Sequence, residues 1–190
     1  MGLPIVIAIF GKAASGKDTF ARKLVDAFGA DAHLIVSTTT RPKRKNEIDS
    51  VDYRFVNKNT FRTKEYLNEF VESTEYNGWL YGIEREEIFK DKINIAVVDF
   101  HGLISLFYEY DIIPVYMYAP FFVRFGRYIK RDGKFSFEIF RRWVADTFNF
   151  MVGKAFCKKM GDFTKVNSAQ DVAPKIKKIQ DVVRERTEKI

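Results

Sequence analysis

With 190 residues, 46% of them hydrophobic and 30% charged, the chain is long enough for one sizeable core and has the balance of an ordinary soluble domain. The lone Cys157 excludes an intramolecular disulfide, as suits a reducing compartment, and the distant His33 and His101, with no cysteine cluster beside them, argue against zinc and read as surface or edge residues. The net charge of +7 would allow a nucleic-acid partner, but the basic residues gather where phosphates would need them, which favours small anionic substrates plus a solvated basic C-terminus.

No apolar stretch has the length of a transmembrane helix. The start, Met-Gly-Leu-Pro, lacks the Ser or Thr of a myristoylation signal and is no basic leader, so a cytoplasmic location without membrane contact is expected.

In chain order, the apolar run 5–10 reads as a buried strand. It leads into Gly11-Lys12-Ala13-Ala14-Ser15-Gly16-Lys17-Asp18-Thr19. A helix follows over 17–28, where Phe20, Leu24 and Phe28 recur every fourth residue and Gly29 ends the pattern. Strand, glycine loop and helix are the context that a phosphate-binding P-loop requires. The glycines let successive N–H groups point into one cavity, the helix adds its positive N-terminus, and Lys17 supplies a mobile charge that can follow a phosphoryl group. The loop thus predicts ATP binding by residues 11–19. The position after the lysine normally carries Ser or Thr for Mg²⁺; here it is Asp18, followed by Thr19. A carboxylate holds a hard cation directly or through water, so Asp18 and Thr19 are the candidate Mg²⁺ residues.

A short strand is expected over 33–37, then the polar, basic segment Thr38-Thr-Thr-Arg41-Pro-Lys-Arg44-Lys-Asn-Glu. The proline holds Arg41 and Arg44 extended, and two guanidinium forks beside the Tyr53 hydroxyl would make a clamp for a monophosphate. A strand over 53–56, a helix over 60–69, a strand over 70–72 and a hairpin at Asn77-Gly78 complete a small mixed insertion. Strands over 93–99 and 112–118 alternate with helices over 103–110 and 121–130. Arg131-Asp-Gly-Lys breaks the last of these, and a long helix runs from about 136 to 159. A strand over 163–166 and a basic helix from about 171 close the chain. This alternation implies a parallel sheet covered by helices on both faces.

Taken in order, the P-loop, Ser37-Thr-Thr-Thr-Arg41-Pro-Lys-Arg44, Asp52-Tyr53-Arg-Phe-Val, Glu72 within Val-Glu-Ser-Thr-Glu-Tyr-Asn-Gly-Trp-Leu-Tyr81-Gly82, Val98-Asp99-Phe-His-Gly102, Arg131, Arg142 and Asp162-Phe-Thr-Lys-Val-Asn167 resemble guanylate kinases over about residues 5–167. The resemblance implies an α/β P-loop NTPase-type fold: a core of 1–36, 89–130 and 160–190, an NMP-binding insertion of 37–88 and a helical lid of 131–159. It implies transfer of the ATP γ-phosphoryl to GMP or dGMP with Mg²⁺. Tyr81 then becomes the clamp's second hydroxyl and Ser37 faces guanine O6. Glu72 reads guanine N1–H and N2, Asp99 contacts the acceptor or a metal-bound water, and Arg131 and Arg142 join Lys17 as catalytic residues. Arg127, Lys130 and Arg141 are neighbours able to share the lid role.

Two further departures bear on the acceptor. Ile83 stands where the family usually has Ser or Thr near guanine O6, removing a donor worth about 1 kcal/mol net. Val97 replaces the first acid of an Asp-x-Asp pair. A deoxynucleoside monophosphate kinase of other base specificity therefore stays open, as does a non-catalytic protein-binding module of this type. Lys17, Arg41, Arg44 and Tyr53 argue against the module. The oligomeric state stays open between monomer and homodimer.

Overall fold

A computed structural model describes residues 2–76, 78–132 and 163–188. Arg142 and nearly all of the expected lid lie outside the described residues, and of Arg131 the backbone position alone, on the helix Phe121–Asp132, is described.

Five parallel strands form the main sheet in the order β2 (Ala32–Leu34), β7 (Ile93–Val97), β1 (Ile5–Gly11), β8 (Asp111–Tyr118), β9 (Thr164–Asn167). Strand β1 lies at the centre and pairs in parallel with both β7 and β8, so all its side chains are covered and the sequence reads as an unbroken apolar run. The period-2 pleat divides that run. Ile5, Ile7 and Ile9 enter a cluster with Phe20 and Leu24 of α1 (Lys17–Phe28) and Ile179 and Val183 of α5 (Ala173–Thr187). Val6, Ala8 and Phe10 face the other way, onto Leu103 and Leu106 of α3 (Phe100–Glu109). Each of these fully buried aliphatic side chains contributes roughly 1.5–3 kcal/mol.

The second sheet, all within the chain between β2 and β7, has the order β4 (Arg54–Phe55), β3 (Thr38–Thr39), β6 (Trp79–Glu84), β5 (Phe70–Tyr76). With α2 (Lys58–Tyr66), capped by the Asn57 side chain accepting from Thr60 N at 2.8 Å, it has a small core of its own in Phe61, Phe70 and Leu80. The expected mixed insertion is present. Its strands differ in length from the sequence reading: β5 continues to Tyr76 because the hairpin partner β6 pairs with it throughout, and β3 and β4 are two residues each. Runs that short carry no periodicity.

Two features link the sheets. The 3₁₀ turn Arg85–Glu87 returns the chain to the core, and Glu87 accepts from Val36 N (3.2 Å) and Arg54 Nη2 (2.8 Å) while contacting His33 Nε2 (3.2 Å). His33 is thus on the edge strand, as expected, with a defined partner. On the other flank, Arg22 of α1 reaches Asp52 at 2.6 Å. Among the described residues no helix is long and apolar enough to cross a membrane.

Candidate active site

The loop after β1 has the geometry its glycines suggest. Gly11 has φ +155°, and a Cβ there would lie 2.4 Å from the Met117 carbonyl oxygen, so no side chain fits. Gly16 caps α1 at φ +91°, and Ala14 also takes a left-handed conformation. Lys17 Nζ folds back over the loop, donating to the carbonyls of Gly11 (2.9 Å) and Lys12 (3.3 Å). Ser15 Oγ is buried and has no hydrogen-bond partner among the described residues. A cleft of about 290 Å³ opens beside the loop, lined by residues 14–20 together with Lys23, Met117, Arg127, Ser168, Gln170 and Val172. All nine residues 11–19 read from the sequence stand together at the head of β1 and α1, and Asp18 and Thr19 face this cleft.

Helix α4 (Phe121–Asp132) adds what the motifs alone did not place. Arg127 donates to Ser168 Oγ (2.8 Å), the Ser168 carbonyl (3.2 Å) and the Ala14 carbonyl (3.4 Å), tying α4, the loop after β9 and the glycine loop into one wall. Arg124, one turn earlier and buried, approaches the Ala13 carbonyl at 3.5 Å. The spacing of 124, 127 and 131 puts all three arginines on one helix face. That spacing was the signal available in the sequence, where Arg127 had been read only as a neighbour able to substitute for Arg131.

Opposite the loop, the second sheet brings its candidates to one concave face. Arg41 lies over the rings of Tyr53 (5.3 Å to the centroid) and Phe55 (5.5 Å), and the Tyr53 and Tyr81 rings meet edge to face at 6.2 Å. Burial, with Asp18 and other groups nearby, pushes the Tyr53 hydroxyl up to about 12. It therefore stays protonated, a donor for anionic oxygens. The Asp18 charge of the glycine loop is thus among those that act on the clamp's Tyr53 hydroxyl. The structure thus brings together Arg41, Tyr53 and Tyr81, with Arg44 joined to Arg41 through a shared acid.

A residue that the sequence reading left without a role stands among them. Glu47 forms a two-oxygen fork with Arg41 (2.8 and 3.0 Å) and accepts from Arg44 N (2.8 Å) and, at 3.4 Å, Arg44 Nη1. Burial opposes its ionisation, but the Arg41 and Arg44 contacts outweigh that and hold the carboxyl below its usual value. An acid three residues after an arginine in a turn was the available signal.

Glu72 lies further in, on β5. Its carboxyl sits against Gly102 in the first turn of α3, where a Cβ would come within 3.2 Å of Glu72 Cδ. Asp99 caps that helix, accepting from Gly102 N at 2.9 Å. The strand expected over 93–99 therefore ends at Val97, and the helix expected from 103 begins at Phe100, because the Asp99 side chain satisfies an amide of its first turn. Desolvation first, then the Asp99 charge, push Glu72 up to about 8, an acid poised near neutrality by its surroundings. Ser37 immediately precedes β3, whose Thr38 is in register with Gly82 of β6, so Ser37 stands at the same end of the face.

Ile83 is the register partner of Glu72 on the neighbouring strand and is fully buried among Val6, Ala8, Val71, Val98 and Leu103. It belongs to the core as well as to the site's floor. Replacing it with serine should lower unfolding free energy by roughly 3 kcal/mol or more, since a cavity and a buried hydroxyl are both created. Denaturant titration at constant slope reads this directly. Val97, by contrast, packs against the other core cluster, on the opposite face of the sheet.

The guanylate kinase family model matches residues 3–133. The chain is 32% identical over 147 residues to a guanylate kinase of Zymomonas mobilis, covering 74% of this chain and 68% of the relative. It is 32% identical over 135 residues to one of Chlamydia felis, covering 69% and 66%. It thus spans about two thirds of the length of these curated relatives. Its fold is that of the crystal structure of a guanylate kinase from Anaplasma phagocytophilum, with a TM-score of 0.69 at 19% identity over 98% of this chain and 87% of the other. A glycine loop with its lysine, facing two arginines, two tyrosines and a buried glutamate, agrees with what these matches establish: this chain belongs to the guanylate kinase family.

Proposed function

We infer that the protein transfers the γ-phosphoryl group of ATP to GMP or dGMP, giving ADP and the nucleoside diphosphate. One observation carries the reading above the others: a complete phosphate loop opposes a cluster of arginine and tyrosine donors, with a carboxyl set deeper beside them. The loop N–H groups, Lys17 and Arg127 would hold the ATP phosphates, and Arg41, Arg44, Tyr53 and Tyr81 the acceptor's phosphate. Glu72, once ionised, accepts two parallel hydrogen bonds, matching guanine N1–H and N2; adenine presents no such pair. Ser37 and Asp99 flank the base position.

The attacking oxygen of the acceptor phosphate is already ionised, so no general base is required. Catalysis is positioning plus neutralisation of charge on both nucleotides. Asp18, exposed beside Lys17 and lining the cleft, supplies a hard oxygen suited to Mg²⁺, with Thr19 beside it. A cation held there with ATP would supply positive charge that offsets the charge of the phosphates. Residues 37–88 act as the acceptor-binding unit, and Arg131 and Arg142 are assigned to the transferring group, whose charge they would neutralise. The lone cysteine fits action in the cytoplasm.

The test is ATP turnover across a panel of nucleoside monophosphates. GMP and dGMP should exceed AMP by roughly a hundredfold or more in kcat/KM. Equal use of AMP and GMP would overturn the guanine assignment. A second reading, a kinase for another deoxynucleotide, is favoured by a single observation, the hydrocarbon of Ile83 beside Glu72, and preference for a different base in the same panel would establish it.

A further inference from the structure

We propose that Glu47 is the positioning residue of the phosphate clamp, fixing Arg41 by its end edge so that its side edge is presented to the acceptor's phosphate; this rests on the kinase reading above. A guanidinium has five N–H donors in a rigid fork. In Arg41, Nη1 serves Glu47 Oε2 at 3.0 Å and the Pro42 carbonyl at 2.7 Å, and Nη2 serves Glu47 Oε1 at 2.8 Å. Among the described residues, that leaves Nε–H and one Nη2–H, the parallel pair that grips two oxygens of one phosphate. The planar group is further held over Tyr53 and Phe55, with the Arg41 side chain only 10% exposed.

Arg44 is treated differently. Glu47 takes its backbone N–H at 2.8 Å, which fixes the turn, while the Arg44 side chain makes only a 3.4 Å contact and is 45% exposed. One arginine is therefore preset and the other is left to close on the ligand. Ordering a long side chain at the moment of binding costs affinity, and Glu47 removes that cost for Arg41 in advance.

Charge and positioning make opposite forecasts, which gives the idea a sharp test. Glu47 is an anion within contact of a site for a dianion, so by Coulomb's law alone removing it should tighten acceptor binding. If it positions Arg41, removing it should weaken binding. Glu47→Gln and Glu47→Ala would be made in the full chain and their folding checked by thermal melting. KM for GMP and for ATP, kcat, and the inhibition constant of guanosine, which lacks the phosphate, would then be measured.

The expected result is a rise of at least about tenfold in KM for GMP, with kcat lowered far less and with ATP and guanosine constants unmoved. The isosteric glutamine variant keeps the test informative if the alanine variant fails to fold. An unchanged or lower KM for GMP in the folded glutamine variant overturns the proposal while leaving the kinase reading intact. A parallel loss of guanosine binding also overturns it, since the effect would then lie in the fold of the face rather than in the clamp. If the unmutated protein neither binds nor phosphorylates GMP, the functional reading fails, and this proposal with it.

Discussion

Lys17→Ala should abolish phosphoryl transfer, lowering kcat by roughly a thousandfold or more, while the fold persists. In this protein the Lys17 ammonium bonds to two loop carbonyls, at Gly11 and Lys12, and stands where the loop's own N–H groups converge. Those carbonyl contacts are part-exposed and worth about 1 kcal/mol each at most, so their loss does not threaten a sheet buried on both faces. What the mutation removes is a positive charge that moves with the transferring group, and nothing else in the glycine loop carries one at that position. The measurement is single-turnover transfer from ATP at saturating GMP, with circular dichroism and a thermal melt to establish folding. Transfer at near-normal rate by a folded variant would remove the central assignment.

The second large effect concerns Glu72. In the ligand-free protein its carboxyl is pushed to about 8, whereas an unfolded glutamate keeps its ordinary value of 4.5. The folded state therefore binds more protons between those values, and stability contributed by this group falls as pH rises through that window, then levels above pH 8. Glu72→Gln should abolish this loss, so its melting temperature relative to the unmutated protein should climb from pH 5 to pH 8. Function moves the other way. Guanine needs the ionised carboxylate; in the amide one charge-assisted hydrogen bond of about 1.5–3 kcal/mol is lost to a facing N–H donor and the other is reduced to a neutral one, so kcat/KM for GMP should fall on the order of a hundredfold or more. Binding GMP to the unmutated protein near pH 7 should release roughly one proton from this site, which calorimetry in buffers of different ionisation enthalpy would detect, and which should vanish in the glutamine variant. A glutamine variant that turns over GMP normally would end the assignment of Glu72 to the base.

Much of this was legible in the chain because the decisive features are local. The apolar run of β1, the four-residue recurrence of Phe20 and Leu24, and the spacing within residues 11–19 are all contained in short windows, and the structure places them as read. The clamp was legible in part: Arg41, Arg44 and Tyr53 sit within one segment, but Tyr81 joins them only through the pairing of β3 with β6. What was not legible depends on contacts across distance. That Ile83 serves the core follows from its register against Glu72 and from the packing of α3, neither of which a single strand reveals. The wall formed by Arg127 and Ser168 joins residues 41 apart. Glu47 is a different case. It was close in sequence to both arginines, but an acid among so many bases reads as solvated until its two oxygens are seen on one guanidinium.

The way the second sheet is attached has a consequence for how such enzymes change. Its chain leaves the parallel sheet after β2 and rejoins it before β7, which are adjacent strands, and Glu87 on the returning lead touches the outgoing side through Val36 N and His33 and the second sheet through Arg54. The second sheet, with its own Phe61–Phe70–Leu80 centre, is thus joined to one edge of the scaffold by two neighbouring leads and by Val71 and Ile83, which enter the core shared with β1. Loops outside that shared core can be lengthened, shortened or exchanged without shifting the register of β1 against β7 and β8, on which the glycine loop depends. On the function proposed above, choice of acceptor would then behave as an interchangeable cartridge, and a lineage could trade one acceptor for another while its ATP engine stays untouched.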